Sequence, residues 1–194
     1  TSDADTRVSA SGALAYNAGT VKNSAKLTLT SSAAAVTVAK DVAFAGNTGT
    51  IEITSTASGV DFNGVYDATG EGFTGGKLNV SGTNVAINGT IKADTVLIGT
   101  PVAGKDTNSV VINGKANKVD GTLNATGTLT LNTGFSTSGG SVTAAATKVN
   151  ASGVAVTIDS KTVDQKTVNP TVDFGALTVV AAATANNLTI TNNV

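Results

Sequence analysis

The chain is a succession of short segments in which apolar and polar residues alternate. Apolar residues recur at every second position over three to five residues, for example in residues 27–29, 36–38, 51–53 and 188–190. A period of two is that of a β-strand with one buried and one wet face. Most segments begin six to nine residues after the previous one, and no amphipathic helical stripe is present. The pattern therefore predicts an all-β protein.

The spacing of these segments favours a β-solenoid over a β-sandwich. Sandwich strands are about five to six residues long, with turn signals roughly every 8–12 residues. A β-solenoid combines shorter strands with short corners and repeats after about 20 residues, and the chain fits this pattern between about residues 78 and 158. We therefore expect a right-handed β-helix-like solenoid. The alternative is a β-sandwich or jelly roll that is completed by a strand donated from a neighbouring subunit.

The stretch NVAINGTIKADTVLIGT, residues 84–100, tests these architectures because it contains Asn88-Gly89, a strong signal for a tight hairpin. A two-residue turn would pair Ile87 with Thr90, so that Ile91 would point to the face opposite Ile87. A sheet with one buried face does not tolerate this exchange. We therefore predict a solenoid corner at Asn88-Gly89. The apolar residues expected to face one core are Val85, Ile87, Ile91, Ala93, Val96 and Ile98.

The chain shows no change of composition that demands a domain boundary. Residues 1–25 are small and polar without clear alternation, and we predict an N-terminal arm or cap there. Residues 26–194 are predicted to form a single all-β domain. Residues 63–76 are predicted to form a loop.

The composition argues against several classes of function. Cys and His are absent, so no Ser-His or Cys-His nucleophile pair and no ordinary zinc site can form. Charged residues make up 13% and aromatic residues 4%, with a net charge of −1, whereas nucleic-acid binding needs a basic footprint. No apolar run is long enough for a membrane-spanning helix. We therefore expect no catalytic residues, no cofactor, no nucleic-acid partner and no membrane-spanning segment.

One group of acidic residues is a weak candidate for calcium. Asp61, Asp67 and Glu71 lie close in sequence, and with Asn63 they offer oxygen ligands to a hard cation. Their spacing matches neither the EF-hand loop nor the Gly-rich calcium repeat. Ordinary polar loop residues are the plainer interpretation. Carboxylate catalysis on a polysaccharide would also need these acids, and we rank it last.

Two further patterns concern the polar residues. Five Asn-x-Ser/Thr sequons would be glycan acceptors in a secreted protein, although they also arise by chance in a sequence this rich in Asn and Thr. Their asparagines are Asn79, Asn88, Asn124, Asn150 and Asn187. Thr-x-Thr triplets occur unevenly, at residues 28–30, 54–56, 126–130 and 189–191 among others. Stacked rows of such triplets would suit ice binding, whereas isolated ones reflect the preference of Thr for strands.

Several segments resemble secreted β-rich surface proteins. LNATGTLTLNTG (123–134) and GGSVTAAATKVNASGVAVTID (139–159) resemble β-helical adhesins of the filamentous-haemagglutinin and autotransporter type. GTIKADTVLIG (89–99) is similar to a rung of a bactofilin, without the charged rungs common there. The overall make-up is similar to S-layer proteins and extracellular filament subunits. These resemblances imply secretion and self-association, and they transfer no functional residues.

The sequence therefore predicts a structural protein at the extracellular surface of a cell. We expect a self-assembling subunit of an extracellular filament, sheath or surface layer. Its partner is another copy of itself, joined by strand pairing through terminal segments such as NNLTITNNV (186–194). The alternative is an adhesin or ice-binding module, whose Thr/Asn-rich β faces would contact a glycan or another surface ligand.

Overall fold

A computed structural model describes residues 5–17, 19–21, 26–44, 49–68, 77–93, 96–99, 110–113, 117–181 and 185–194. All regular structure in these residues is β, which confirms the predicted class. The strands are β1 (Thr6–Ala10), β2 (Leu14–Tyr16), β3 (Thr20–Val21), β4 (Leu27–Ser31), β5 (Val36–Val38), β6 (Ala43–Phe44), β7 (Thr50–Ser55), β8 (Val60–Phe62), β9 (Val65–Asp67), β10 (Lys77–Ser81), β11 (Val85–Ile87), β12 (Thr90–Ala93), β13 (Val96–Ile98), β14 (Val110–Ile112), β15 (Asn117–Val119), β16 (Thr122–Leu131), β17 (Phe135–Ser138), β18 (Ser141–Val149), β19 (Val154–Asp159), β20 (Lys161–Val163), β21 (Lys166–Val168), β22 (Thr171–Asp173), β23 (Ala176–Val179) and β24 (Leu188–Asn193).

The strands form three stacks in which neighbours run parallel. The first stack has the order β1-β4-β7-β10-β13-β14-β16-β18-β23, and the second has β2-β5-β8-β11-β15-β17-β19-β24. The third has β3-β6-β9-β12-β16-β18-β22. Because β16 and β18 are long and contribute to both the first and the third stack, these two stacks belong to one curled sheet. We call one passage of the chain through the stacks a rung.

This pairing favours the solenoid over the sandwich among the two predicted architectures. Sandwich sheets are mainly antiparallel, whereas the one antiparallel pair among the described strands is the hairpin β20–β21. Curled sheets of parallel strands are compatible with a β-solenoid. The succession is interrupted once, where β13 pairs with both β10 and β14 and adds an extra strand to the first stack.

The stretch around Asn88-Gly89 forms a corner, as predicted. Strand β11 pairs with β8 and β15, and β12 pairs with β9 and β16, so the two strands do not pair with each other. The six apolar residues expected to share a core are all buried within it. The chain therefore winds onward through this corner instead of folding back.

Corners of the same kind lie one above another between the second and third stacks. The Asn88 side-chain Nδ2 donates to Asn63 Oδ1 at 3.0 Å, and Asn63 Nδ2 donates to the Val38 carbonyl oxygen, also at 3.0 Å. The backbone nitrogens of Asn88 and Gly89 both donate to the Phe62 carbonyl oxygen, at 2.9 and 3.0 Å. These bonds satisfy the polar backbone groups that the corner removes from the stacks. We call this column the corner ladder.

The core lies between the stacks and consists of aligned rows of aliphatic residues. In the first stack one inward row contains Leu29, Ile53, Val80, Ile98, Ile112, Leu131 and Val149, all buried. Along most strands these side chains alternate with outward polar ones, as the period of two requires; Leu97 and Val111 are apolar residues at outward positions. With few aromatic residues available, the packing relies on repeating Leu, Ile and Val. The described strands of residues 5–21 continue the same rows, because β1 pairs with β4 and β2 with β5.

Candidate functional site

The exposed apolar side chains are concentrated at one end of the stacks. Of the seven large hydrophobic residues found exposed, Val65 lies on the third stack and the others lie on or beside the last rung. We call these six residues the C-terminal end surface: Val163, Val168, Leu177, Val179, Ile190 and Val194. Single exposed apolar residues need no explanation, whereas their concentration at one end of the stacks makes that end a candidate interaction site.

The position of these residues in the strands explains why they are exposed. Leu177 lies beside Thr147 and Val179 beside Val149, so both belong to the inward rows of the first stack. Ile190 lies beside Val156 in the same way in the second stack. Val149 and Val156 are fully buried, whereas Val179 and Ile190 are 46% and 47% exposed, because no further described strand covers them.

The backbone at this end also has unpaired edges. Strands β22 and β23 pair with β18, and β24 pairs with β19, so one edge of each has no partner among the described strands. An open edge of N–H and C=O groups is a template for another strand. Apolar exposure and unpaired backbone groups therefore coincide at the last rung.

The opposite end is better covered but has open edges as well. Strands β1 and β2 pair with β4 and β5, and their other edges have no partner among the described strands. The inward residues Val8, Leu14 and Tyr16 are partly buried against the core. Burial raises the pKa of the Tyr16 hydroxyl above its ordinary value. This end thus combines partly buried apolar side chains with the open edges of β1 and β2, which run parallel to the other strands of their stacks.

A hairpin projects beside the last rung, and its strands were not expected from the sequence. In β20–β21, Val163 lies opposite Lys166 across a two-residue turn, Asp164-Gln165. Both turn residues have positive φ, 49° and 63°, which is the geometry of a type I′ turn. Ser160 and Asn169 close its base through a 3.0 Å hydrogen bond. The sequence signal for this hairpin is the tripeptide KTV, which occurs at residues 161–163 and again at 166–168.

The candidate calcium ligands are distributed over separate stacks. Asp61 points outward from the second stack between Thr37 and Ala86, whereas Asp67 lies on the third stack, 3.9 Å from Lys92 Nζ. Asn63 belongs to the corner ladder, and Glu71 lies outside the described residues. Within the described ranges, no group of three or more acidic residues is arranged to hold a metal ion.

The sequon asparagines occupy two kinds of position. Asn79 and Asn124 point outward and are half-buried, on the first and third stacks respectively. The other three asparagines have side-chain hydrogen bonds at corners or loops. Asn88 Nδ2 donates to Asn63, Asn150 Nδ2 donates to Asn132 Oδ1 at 3.2 Å, and Asn187 Oδ1 accepts from the Gly153 backbone nitrogen at 2.6 Å. A glycan is attached to Nδ2, so at Asn88 or Asn150 it would crowd the nitrogen that donates these bonds, whereas at Asn187 the bonded atom is Oδ1.

The Thr-x-Thr triplets align only in part, because Thr30 lies beside Thr54 but Thr28 lies beside Glu52. Thr28 lies between Arg7 and Glu52, and Thr30 lies between Ser9 and Thr54. Thr130, although it belongs to an outward row, is buried. The hydroxyl array that these triplets suggested in the sequence is therefore interrupted by charged and buried positions.

A more regular polar surface lies on the third stack, outside the Thr-x-Thr triplets. Thr90, Thr122, Ser141 and Thr171 follow one another in register, and Lys92, Asn124, Thr143 and Asp173 form the next outward row. We call these two rows the third-stack polar rows. The signal in the sequence is the recurrence of Gly-Thr or Gly-Ser after a corner, at residues 89–90, 121–122 and 140–141.

The ion pairs of the described residues are few, and the lysine of each is exposed, although the Asp120 side chain is only 11% exposed. Lys26 Nζ lies 2.8 Å from Glu52 Oε2, and Lys118 Nζ lies 2.5 Å from Asp120 Oδ2, with the lysine side chains 44% and 50% exposed. Exposed pairs of this kind contribute about 0–1 kcal/mol. Charge therefore contributes little to the candidate site, which consists of strand edges and aliphatic side chains.

Within the described part of the chain no helix could cross a membrane.

Comparisons of the chain with protein-family models, with curated proteins and with solved structures found no match. Its function is therefore inferred from its own sequence and structure.

Proposed function

We propose that the chain is a structural, self-assembling subunit of an extracellular filament, sheath or surface layer. The subunits associate by pairing the strands of their end rungs, and the partner is another copy of the chain. The observation that carries this proposal is the C-terminal end surface, where exposed inward-row side chains coincide with strand edges that have no partner among the described strands.

The energetic argument concerns the cost of leaving this end uncovered. Burying apolar surface contributes roughly 25 cal/mol per Å², and half-exposed Leu177, Val179 and Ile190 lie in rows that are fully buried one rung earlier. A rung placed on this end would bury these side chains and pair the backbone groups of β23 and β24. Monomeric proteins usually blunt open edges with charge or Pro, whereas β23 contains neither.

The architecture that suits this function is a right-handed β-solenoid. Parallel strands joined by crossover connections are right-handed in about 98% of cases, and the three-stack succession supplies such connections. In repeat architectures each rung contacts only its neighbours, so stability accumulates as rungs are added. Such a scaffold can be extended by another molecule without changing its internal packing.

The test is assembly of the purified chain, followed by electron microscopy and sedimentation over a wide range of concentration. We expect filaments whose amount rises with concentration. Ile190→Lys should abolish them, because it places a charge in the inward row of the end. Thr189→Lys is the matched control, since Thr189 is the exposed outward neighbour on the same strand, and it should still assemble. Monomers under all conditions, or Ile190→Lys filaments equal to wild type, would contradict the proposal.

The second candidate is a binding module, either an adhesin or an ice-binding protein. The third-stack polar rows support it, because they place mainly hydroxyl and amide groups, together with the charged Lys92 and Asp173, at regular strand spacing on one surface. Ice-recrystallisation and glycan-array assays on the wild type and on Thr122→Val separate this candidate from the first. Activity that the substitution removes favours the binding module, and a blank result in both assays opposes it.

A further inference from the structure

We propose that subunits join head to tail and in register, so that β1 of one copy continues the first stack beyond β23 of another and β2 continues the second stack beyond β24. This inference rests on the proposed function and specifies its partner and geometry. The occupant of the C-terminal end surface is the first rung of a second copy.

The first stack supplies the register. Its rows link Val8 to Leu29 at the start and Val149 to Val179 at the end, with every intervening residue in direct register. Continuing the row beyond Val179 therefore places Val8 of the next copy beside it. The neighbouring outward row begins with Arg7 and ends with Lys148 and Thr178. The same continuation therefore places Arg7 of the next copy beside Thr178.

The second stack leads to the same alignment independently. Its outward row begins with Ala15 and Thr37 and ends with Thr157 and Thr191. Continuation places Ala15 of the next copy beside Thr191. The adjoining inward row then places Leu14 on Ile190, an aliphatic contact of the kind found throughout the core.

A second copy meets several requirements at once. The added strands must run parallel to β23 and β24, lie in two stacks simultaneously and be joined by one short corner. Strands β1 and β2 satisfy all three, since they already have this relation to β4 and β5. The alignment also opposes no like charges directly, because Arg7 meets Thr178 and Ala15 meets Thr191. Continuation of both stacks is therefore geometrically and electrostatically consistent.

The pairing involves the first and second stacks alone. Among the described residues the third stack ends at β22, one rung before β23 and β24 reach the end. Strand β3 of the next copy consequently lies across a gap from β22. The cross-linking sites are for this reason chosen on the two stacks that continue.

Cysteine cross-linking tests the register, and the chain offers a clean background because it contains no Cys. Parallel neighbours lie about 4.8 Å apart, within the roughly 4.4–6.8 Å Cα separation of disulfides. The double variants Arg7→Cys/Thr178→Cys and Ala15→Cys/Thr191→Cys should each form a ladder of covalent oligomers after oxidation of filaments. The mismatched control Ser9→Cys/Thr178→Cys, displaced by two residues, should remain monomeric on a non-reducing gel.

The outcomes separate this inference from the proposed function. Covalent ladders from both matched pairs, but not from the mismatched pair, support the in-register junction. Filaments that fail to cross-link through matched pairs, or that cross-link equally through the mismatched one, overturn the junction and leave the structural function standing. Dimers from Thr178→Cys alone would show tail-to-tail contact and overturn the polarity. Absence of filaments would overturn both.

Discussion

Replacing Gly89 with Ala tests the corner ladder directly. A Cβ built at Gly89 would overlap the carbonyl oxygen of Gly64 in the corner of the preceding rung, and would lie 2.5 Å from the carbonyl carbon and oxygen of Asn63. These obstructing atoms are backbone, so they cannot move aside as a flexible side chain would. In an isolated Asn-Gly hairpin the requirement for Gly would come from positive φ, whereas here it comes from the close approach of successive rungs.

The expected cost follows from the size of this overlap. Inserting a methyl group into a packed site usually costs about 1–3 kcal/mol, and a clash with fixed backbone belongs at the upper limit, so we expect about 3 kcal/mol. For a chain of this size, 1 kcal/mol shifts the melting temperature by about 2–4 °C. Gly89→Ala should therefore melt roughly 6–12 °C below the wild type.

Thermal and urea denaturation followed by circular dichroism measure this effect, on chains held monomeric by Ile190→Lys. Gly127→Ala is the matched control, because a Cβ there meets nothing within 4 Å, and it should be neutral or gain up to about 1 kcal/mol from reduced unfolded-state entropy. A Gly89→Ala chain within about 0.5 kcal/mol of its parent would refute the stacked-corner explanation. Equal losses in both variants would do so as well.

Three further perturbations follow from the structure. Thr147→Val should stabilise the monomer by about 1 kcal/mol in urea denaturation, because the buried Thr147 hydroxyl has no hydrogen-bond partner among the described residues; a loss of stability would contradict this. Deleting residues 161–168 should change stability by about 1 kcal/mol or less, since the hairpin is exposed throughout; loss of the native far-UV spectrum would show a structural role. The raised pKa of Tyr16 means that the unfolded state ionises first as pH rises, so the wild type should lose stability above about pH 10. Tyr16→Phe should remove this decline. Identical pH profiles of the two proteins would oppose the prediction.

The all-β class and the corner at Asn88-Gly89 were predictable because burial leaves a period-two signature that a wrong register violates. Ile87 and Ile91 could share one face if the chain bent between them, and both are fully buried. The local pattern alone therefore distinguished winding from folding back. The extra strand β13 could not be predicted, since VLI at 96–98 reads like any other strand and its place depends on pairing with β10 and β14.

The candidate site was partly predictable from the sequence. The alternating segment at 186–194 was expected to pair strands, and β24 lies there with one edge that no described strand pairs. The exposure of Leu177 and Val179 could not be anticipated, because their segment ALTV has the composition of buried strands elsewhere. Whether such a strand is buried depends on whether another rung covers it, which is a long-range property. The third-stack polar rows likewise emerge only when the corners are aligned.

Fibre diffraction from oriented filaments tests the central claim most directly. If subunits continue one another's stacks, the strands lie across the filament axis and their spacing of about 4.7–4.8 Å should appear as a meridional reflection. Filaments formed by side-to-side contact would place this reflection away from the meridian. A meridional reflection that is lost with Ile190→Lys and retained with Thr189→Lys would support assembly through the end rungs. Its absence from well-oriented wild-type filaments would contradict it.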